Sequence, residues 1–299
     1  MLSLFITLFN MEYIKILDSR NKITSHYNWK SSPETATNLT MRFVFGGSEI
    51  CSIGRRRLSL QHDSFIVLNK GTQFTANSET DTFVNVFSLS LDDDFLNEFN
   101  DVLAPKDKIF GGKYDDENLL QSELIETIYP LKPEMKHAIV LLKEYLDNGG
   151  DDEDMLNEYF CKCLLNYFRI YKEEILNKAR KLNFLHYSTR IEILRRLNLA
   201  KEYLYANYNR NVNLDSLADH ACLSVNHLLR TFKLAYNQSP HQFLIQLRLQ
   251  RAQLLLTKTE YPVYEIVNMV GFKCTSSFIR LFRTRYKTTP LKYRNVLAA

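Results

Sequence analysis

The stretch "LLRTFKLAYNQSPHQF", starting at Leu228, is answered fifty positions later by "FIRLFRTRYKTTPLKY", starting at Phe278. Arg230, Phe232, Tyr236 and Pro240 return as Arg280, Phe282, Tyr286 and Pro290, and Phe243 is matched by Tyr293. Two copies in register mean that this half of the chain builds one helical unit twice.

The residues ahead of each copy say what the unit is. In "VNLDSLADHACLSVNHLLRTFKLAY", Leu214, Leu217, Ala218 and Ala221 form a short apolar stripe, and a tight turn follows. Ser224 then opens a second helix, its hydroxyl suited to accept from an orphan backbone N–H. Two short helices around a tight turn make a helix-turn-helix. "YPVYEIVNMVGFKCTSSFIRLFRTRY" repeats the plan. Pro262 starts the first helix, Ile266 and Val270 face inward, and Gly271 gives the turn a positive φ. Cys274 or Thr275 opens the second helix, with Phe278 and Phe282 buried. First helices align at an offset of 49 and second helices at 50, so the second turn is one residue longer.

Charge is divided unequally along the chain. From Tyr187 to the end there are 17 Lys and Arg against 6 Asp and Glu, a net of +11; the preceding 186 residues hold 21 against 28, a net of −7. A basic half joined to an acidic half suits a polyanion-binding module with a separate non-binding domain. The outward side of the first second-helix carries Val225, Asn226, Leu229, Arg230 and Lys233, beginning at Ser224. Its counterpart carries Thr275, Ser276, Ile279, Arg280 and Arg283, ending at Lys287. Arg forks onto guanine O6 and N7, Asn pairs with adenine, and small hydroxyl or aliphatic groups meet thymine methyls. Neighbouring Lys and Arg neutralise phosphates. These twelve residues are the candidate DNA contacts.

The front half reads differently. "LTMRFVFGGSEICSIGRRRLSLQHDSFIVLNKGTQF" and "DTFVNVFSLSL" alternate apolar with polar residues and are punctuated by glycine and asparagine, as short meandering strands are. Arg55, Arg56 and Arg57 would alternate faces at an exposed edge. The period then changes to helical in "MKHAIVLLKEYL" and "DMLNEYFCKCLLNYFRIYKEEIL", the latter preceded by acidic residues that suit a helix start. Its apolar stripe of Met155, Tyr159, Phe160, Cys163, Leu164, Tyr167, Phe168 and Tyr171 serves either as core against the strands or as a dimer seam. Strands are expected over about 1–95, helices over about 117–180, a linker at 181–189 and a helical domain over 190–299.

The five cysteines, at 51, 161, 163, 222 and 274, have no framework spacing and read as free thiols of a reducing cytoplasm. No apolar run reaches the roughly 18–20 residues that cross a bilayer, so no membrane partner is expected. The apolar start "MLSLFITLF" reads as an edge strand, or as preceding a start at Met11, rather than as a secretory signal. His62 stands alone beside Asp63. No metal, cofactor or catalytic residue is therefore expected. The competing reading is a cupin-type small-molecule-binding enzyme with an appended basic helical module.

"LSVNHLLRTFK", "SPHQFLIQLRLQRAQLLL" and "YEIVNMVGFKCTSSFIRLFRTRYKTTPLKYR" together resemble the AraC/XylS transcription regulators over about 105 residues. Cys222 departs from that pattern where glycine is common, as do Val267 for a small residue and Asn237 for a glycine. The resemblance implies an α+β chain: an N-terminal cupin-like β-barrel with flanking helices, and a C-terminal all-α domain whose two helix-turn-helix units are joined by a linking helix, "HQFLIQLRLQRAQLLLTK". It implies double-stranded DNA as partner, two successive major grooves read per protomer, a homodimer, and RNA polymerase as a further partner of an activator. Arg248 on the linking helix would contact phosphate or satisfy buried carbonyls. It also implies an organic effector inside the barrel, with Tyr27, Trp29 and Gln73 as candidate lining residues.

Overall fold

The structure, a computed structural model, describes residues 13–28, 33–78, 84–103 and 124–298. It separates into two compact units, Met1–Asn177 and Lys178–Ala299. The apolar opening residues, Met11 and Trp29 lie outside the described residues.

The first unit contains, in chain order, β1 (Tyr13–Ile16), β2 (Lys22–Asn28), β3 (Pro33–Thr35), β4 (Leu39–Gly46), β5 (Glu49–Ile53), β6 (Arg56–Leu60), β7 (Ser64–Leu68), β8 (Gln73–Ser78), β9 (Val84–Leu91) and β10 (Ile128–Pro130). One sheet has the order β1-β2-β9-β4-β7-β10 and the other β3-β8-β5-β6, every pair antiparallel. The expected closed barrel is not formed. Among the described residues no ladder joins the two sheets, and each keeps two edge strands. What binds them is apolar burial between their faces: Val44, Ile66, Leu68 and Val86 of one sheet cluster with Cys51, Leu58, Leu60 and Phe74 of the other.

Strand alternation sends the neighbouring side chains to the opposite face. There Phe43 stacks on Phe65 at 5.1 Å, and Phe65 meets Tyr129 and Tyr167 at 5.6 and 6.3 Å. Tyr167 comes from α3 (Glu153–Tyr171), which follows α1 (Asp93–Leu103) and α2 (Pro133–Asp147). The carboxylate of Asp152 accepts from the Met155 N–H at 2.9 Å and caps α3. Phe160, Cys163, Leu164, Tyr167, Phe168 and Tyr171 are buried within the chain, so this part of the stripe is core, while Met155 is exposed and Tyr159 half-buried. Burying each such aromatic is worth about 1.5–3 kcal/mol. β10 falls inside the stretch read as helical; its three residues are too few to show an alternation, and pairing with β7 makes it a strand.

The second unit is helical throughout: α4 (Tyr187–Ala206), α5 (Leu214–His220), α6 (Val225–Tyr236), α7 (Pro240–Lys258), α8 (Val263–Met269), α9 (Thr275–Tyr286) and α10 (Pro290–Ala298). Helix α4 begins within the segment read as linker, with His186 in extended conformation before it.

Candidate nucleic-acid interface

The repeat in the sequence is a repeat in space. Phe232 lies 4.5 Å from Tyr236 and 5.8 Å from Phe243; Phe282 lies 4.5 Å from Tyr286 and 5.6 Å from Tyr293, the second contact edge-on at 83° in both copies. Each trio closes the second helix of its unit against the helix that Pro240 or Pro290 begins. Buried Leu228 and Phe278 complete the same inward face.

Turn chemistry places the helix starts. The Ser224 hydroxyl accepts from the His227 N–H at 3.4 Å, capping α6. Cys274 occupies the corresponding place before α9, and the Ser277 N–H holds its thiol below the ordinary value. Four residues separate α5 from α6 and five separate α8 from α9, matching the expected extra residue. Both second helices end in left-handed conformation, at Asn237 (φ 57°) and Lys287 (φ 60°).

With the aromatic face inward, the remaining faces are presented to solvent. Ser224, Asn226, Arg230 and Lys233 are exposed around α6, while Val225 and Leu229 are partly covered. Around α9, Thr275, Ser276, Ile279, Arg280, Arg283 and Lys287 are all exposed. His227, at the edge of the first face, is held below its usual value by burial and then by Arg230 and Arg196.

The linking helix relates the two faces. Gln242, Ile245, Gln246 and Leu249 form one stripe of α7. That stripe floors a cleft of about 830 Å³, walled by Tyr236, Asn237 and Gln238 at the end of α6 and by Leu281, Thr284 and Arg285 of α9. Both second helices therefore flank the same side of α7. A capping box fixes where α7 starts: Ser239 accepts from the Gln242 N–H at 3.2 Å, and Gln242 accepts from the Ser239 N–H at 2.9 Å. Arg248 satisfies main-chain carbonyls. Its Nε donates to the Tyr208 carbonyl at 2.6 Å and an Nη to the Arg210 carbonyl at 2.7 Å.

Residues 217–295 match the profile of a helix-turn-helix domain family. The raffinose operon transcriptional regulatory protein of Pediococcus pentosaceus is 32% identical over 105 residues, covering 35% of this chain and 38% of that protein. The transcriptional activator RhaS of Escherichia coli is 34% identical over 99 residues, covering 33% and 36%. A crystallised AraC-type regulator from Chromobacterium violaceum is 28% identical, covers 34% of this chain and 92% of that one, and superposes with a TM-score of 0.33. In this segment the chain carries an AraC-type helix-turn-helix domain. Its relatives are transcription regulators rather than enzymes, and the aligned segment spans little more than a third of the curated relatives named here. Among the described residues no helix is long and apolar enough to cross a membrane.

The first unit holds a second feature. A cavity of about 300 Å³ opens between its sheets, lined among others by Thr24, His26, Thr40, Arg42, Ser88 and Ser90. Arg42 is buried and forks onto buried Glu49 at 2.7 and 2.7 Å. Burial opposes its charge, but the Glu49 carboxylate outweighs this and holds the guanidinium above its usual value. Gln73 is exposed at the start of β8 and is not among the lining residues; Tyr27 stands on β2 opposite Asn85, its side chain outside the described residues. The lining residues carry a sequence signal: Thr40 and Arg42 on β4, like Ser88 and Ser90 on β9, are polar residues two apart and so share one face of their strand.

Proposed function

We propose that this chain is a sequence-specific DNA-binding transcription regulator in which each protomer reads two successive major-groove segments. The observation that carries this is the pair of basic, solvent-facing helices, α6 and α9, flanking one side of α7. Such helices suit grooves one helical turn apart, about 34 Å. Arg230 and Arg280 would read bases; Lys233, Arg283 and Lys287 would anchor phosphates. The polar cavity of the first unit supports a small-molecule effector, bound there and biasing a homodimer between arrangements on paired sites. An activator of this kind would also engage RNA polymerase. The test is selection of bound duplexes from a random pool, followed by gel-shift competition. Arg230→Ala and Arg280→Ala should each weaken the selected site by about 1–3 kcal/mol and relax one position within it. Equal competition by random duplex would refute the proposal.

A further inference from the structure

The two helix-turn-helix units share a joint. Residues 207–212 leave α4 and lead directly into α5, the first helix of the first unit. This loop is nevertheless held by the second unit. Arg248 forks from the middle of α7 onto the carbonyls of Tyr208 and Arg210, at 2.6 and 2.7 Å. Its guanidinium also lies 5.8 Å from the ring of Phe272, in the turn between α8 and α9. The Tyr208 ring packs on the core formed by Ile266, Phe278 and Phe282, with the Arg251 guanidinium 6.0 Å away.

Gly271 closes the joint. Its φ is +84°, and a Cβ there would stand 2.7, 2.8 and 2.9 Å from O, C and Cα of Asn209. The obstacle is backbone, which cannot swing aside as a side chain would. The turn of the second unit thus rests directly on the main chain that launches the first. Burial pulls the Arg248 guanidinium below its usual value, the cost of taking a cation partly out of water.

We infer that Arg248, Gly271 and loop 207–212 form a bracket that sets the distance and phase between α6 and α9, and so the number of base pairs between the two segments read. Arg248 and Gly271 are positioning residues; neither touches DNA. The inference rests on the two-segment reading proposed above. Geometry gives its scale: at 10–10.5 base pairs per turn of about 34–36 Å, one base pair is a shift of about 3.4 Å together with about 35° of rotation. A bracket that yields by that much lets the protein accept the neighbouring spacing.

Two measurements separate the possible failures. In the first, spin labels are placed at Asp219→Cys on α5 and Asn268→Cys on α8, with Cys161→Ser, Cys222→Ser and Cys274→Ser, in the full chain without DNA. The parent should give one narrow distance distribution; Arg248→Lys and Gly271→Ala should broaden or shift it in protein that circular dichroism shows to be folded. A role in general stability alone would lower the melting temperature and leave the distribution of folded molecules unchanged. In the second, affinity is measured on selected sites lengthened or shortened by one base pair. The parent should lose at least tenfold on either change and Arg248→Lys less than threefold. Unaltered distance distributions in both variants overturn the bracket whatever DNA does. If the distributions respond but the parent shows no preferred spacing, the two-segment reading fails while the bracket stands. Should Gly271→Ala not fold, Arg248→Lys, which keeps stem and charge but loses the planar fork, decides alone.

Discussion

Removing the Glu49 carboxylate should cost the first unit more than most single changes, because of what it strands. The Arg42 guanidinium is 2% exposed and the carboxylate 1% exposed, with two donors at 2.7 Å. Ser88 accepts a third contact at 3.4 Å and the Phe74 ring lies 5.6 Å away, neither of them an anion. Breaking such a pair from one side typically costs about 3–5 kcal/mol, since the survivor keeps its charge but loses its hydrogen-bonded counter-ion, leaving only the more distant Glu34 carboxylate to act on it. Against a usual domain stability of about 5–15 kcal/mol, Glu49→Leu should shift the urea midpoint greatly. Arg42→Met should cost less, because arginine cannot release its proton to escape a buried charge whereas a carboxyl group can be neutralised. Replacing both residues leaves an apolar patch and should recover most of the loss, or exceed the parent by about 1–4 kcal/mol. Urea unfolding followed by circular dichroism at 222 nm measures these differences. A loss under about 1 kcal/mol for Glu49→Leu, or a double variant no better than the singles, would refute the assignment of a desolvated pair.

Other outcomes follow from local geometry. Ser239→Ala removes one half of the capping box before α7 and should lower the stability of the second unit by about 1 kcal/mol, with Asp at 239 restoring most of it; chemical denaturation read at 222 nm checks this. Thiol alkylation should order the cysteines by environment. Cys274, exposed and lowered by backbone N–H groups, should react near neutral pH, while Cys51 and Cys163, each pushed up to about 12 by burial, should stay protected until the protein unfolds. Mass spectrometry of the alkylated peptides reads the order, and early modification of Cys163 would contradict the buried stripe of α3.

How much of this was legible in the sequence depended on the range of the forces involved. Helix periods, the Ser224 cap and the aromatic trio are set by residues a few positions apart, and the fifty-residue echo displays each of them twice. The sheets are not local. β2 pairs with β9 some sixty residues on, and β9 in turn with β4. Alternation reveals strands but not their neighbours, so a closed barrel and two facing sheets read alike. The stripe of α3 was ambiguous for the same reason: period tells which residues share a face, and only Phe65, far upstream, tells what covers it. Arg42 was hidden because its partner, Glu49, lies across a turn on the other sheet.

The small difference between the two copies carries the most information. Cys222 and Gly271 hold equivalent places in their turns, and both adopt positive φ, 52° and 84°. A residue with a side chain is thus tolerated in the first turn, at a cost of about 1–2 kcal/mol. Conformation alone therefore does not demand glycine in the second. What demands it is the Asn209 backbone, within 3 Å of where a Cβ would be. In the first turn the Cys222 carbonyl instead receives a hydrogen bond from Arg196 of α4 at 3.1 Å. The same turn was thus fitted once to a helix side chain and once to a main chain arriving from the other unit. A duplicated motif must depart from its own pattern wherever the copies touch, because a contact between copies has only one place in the molecule. The glycine marks that place.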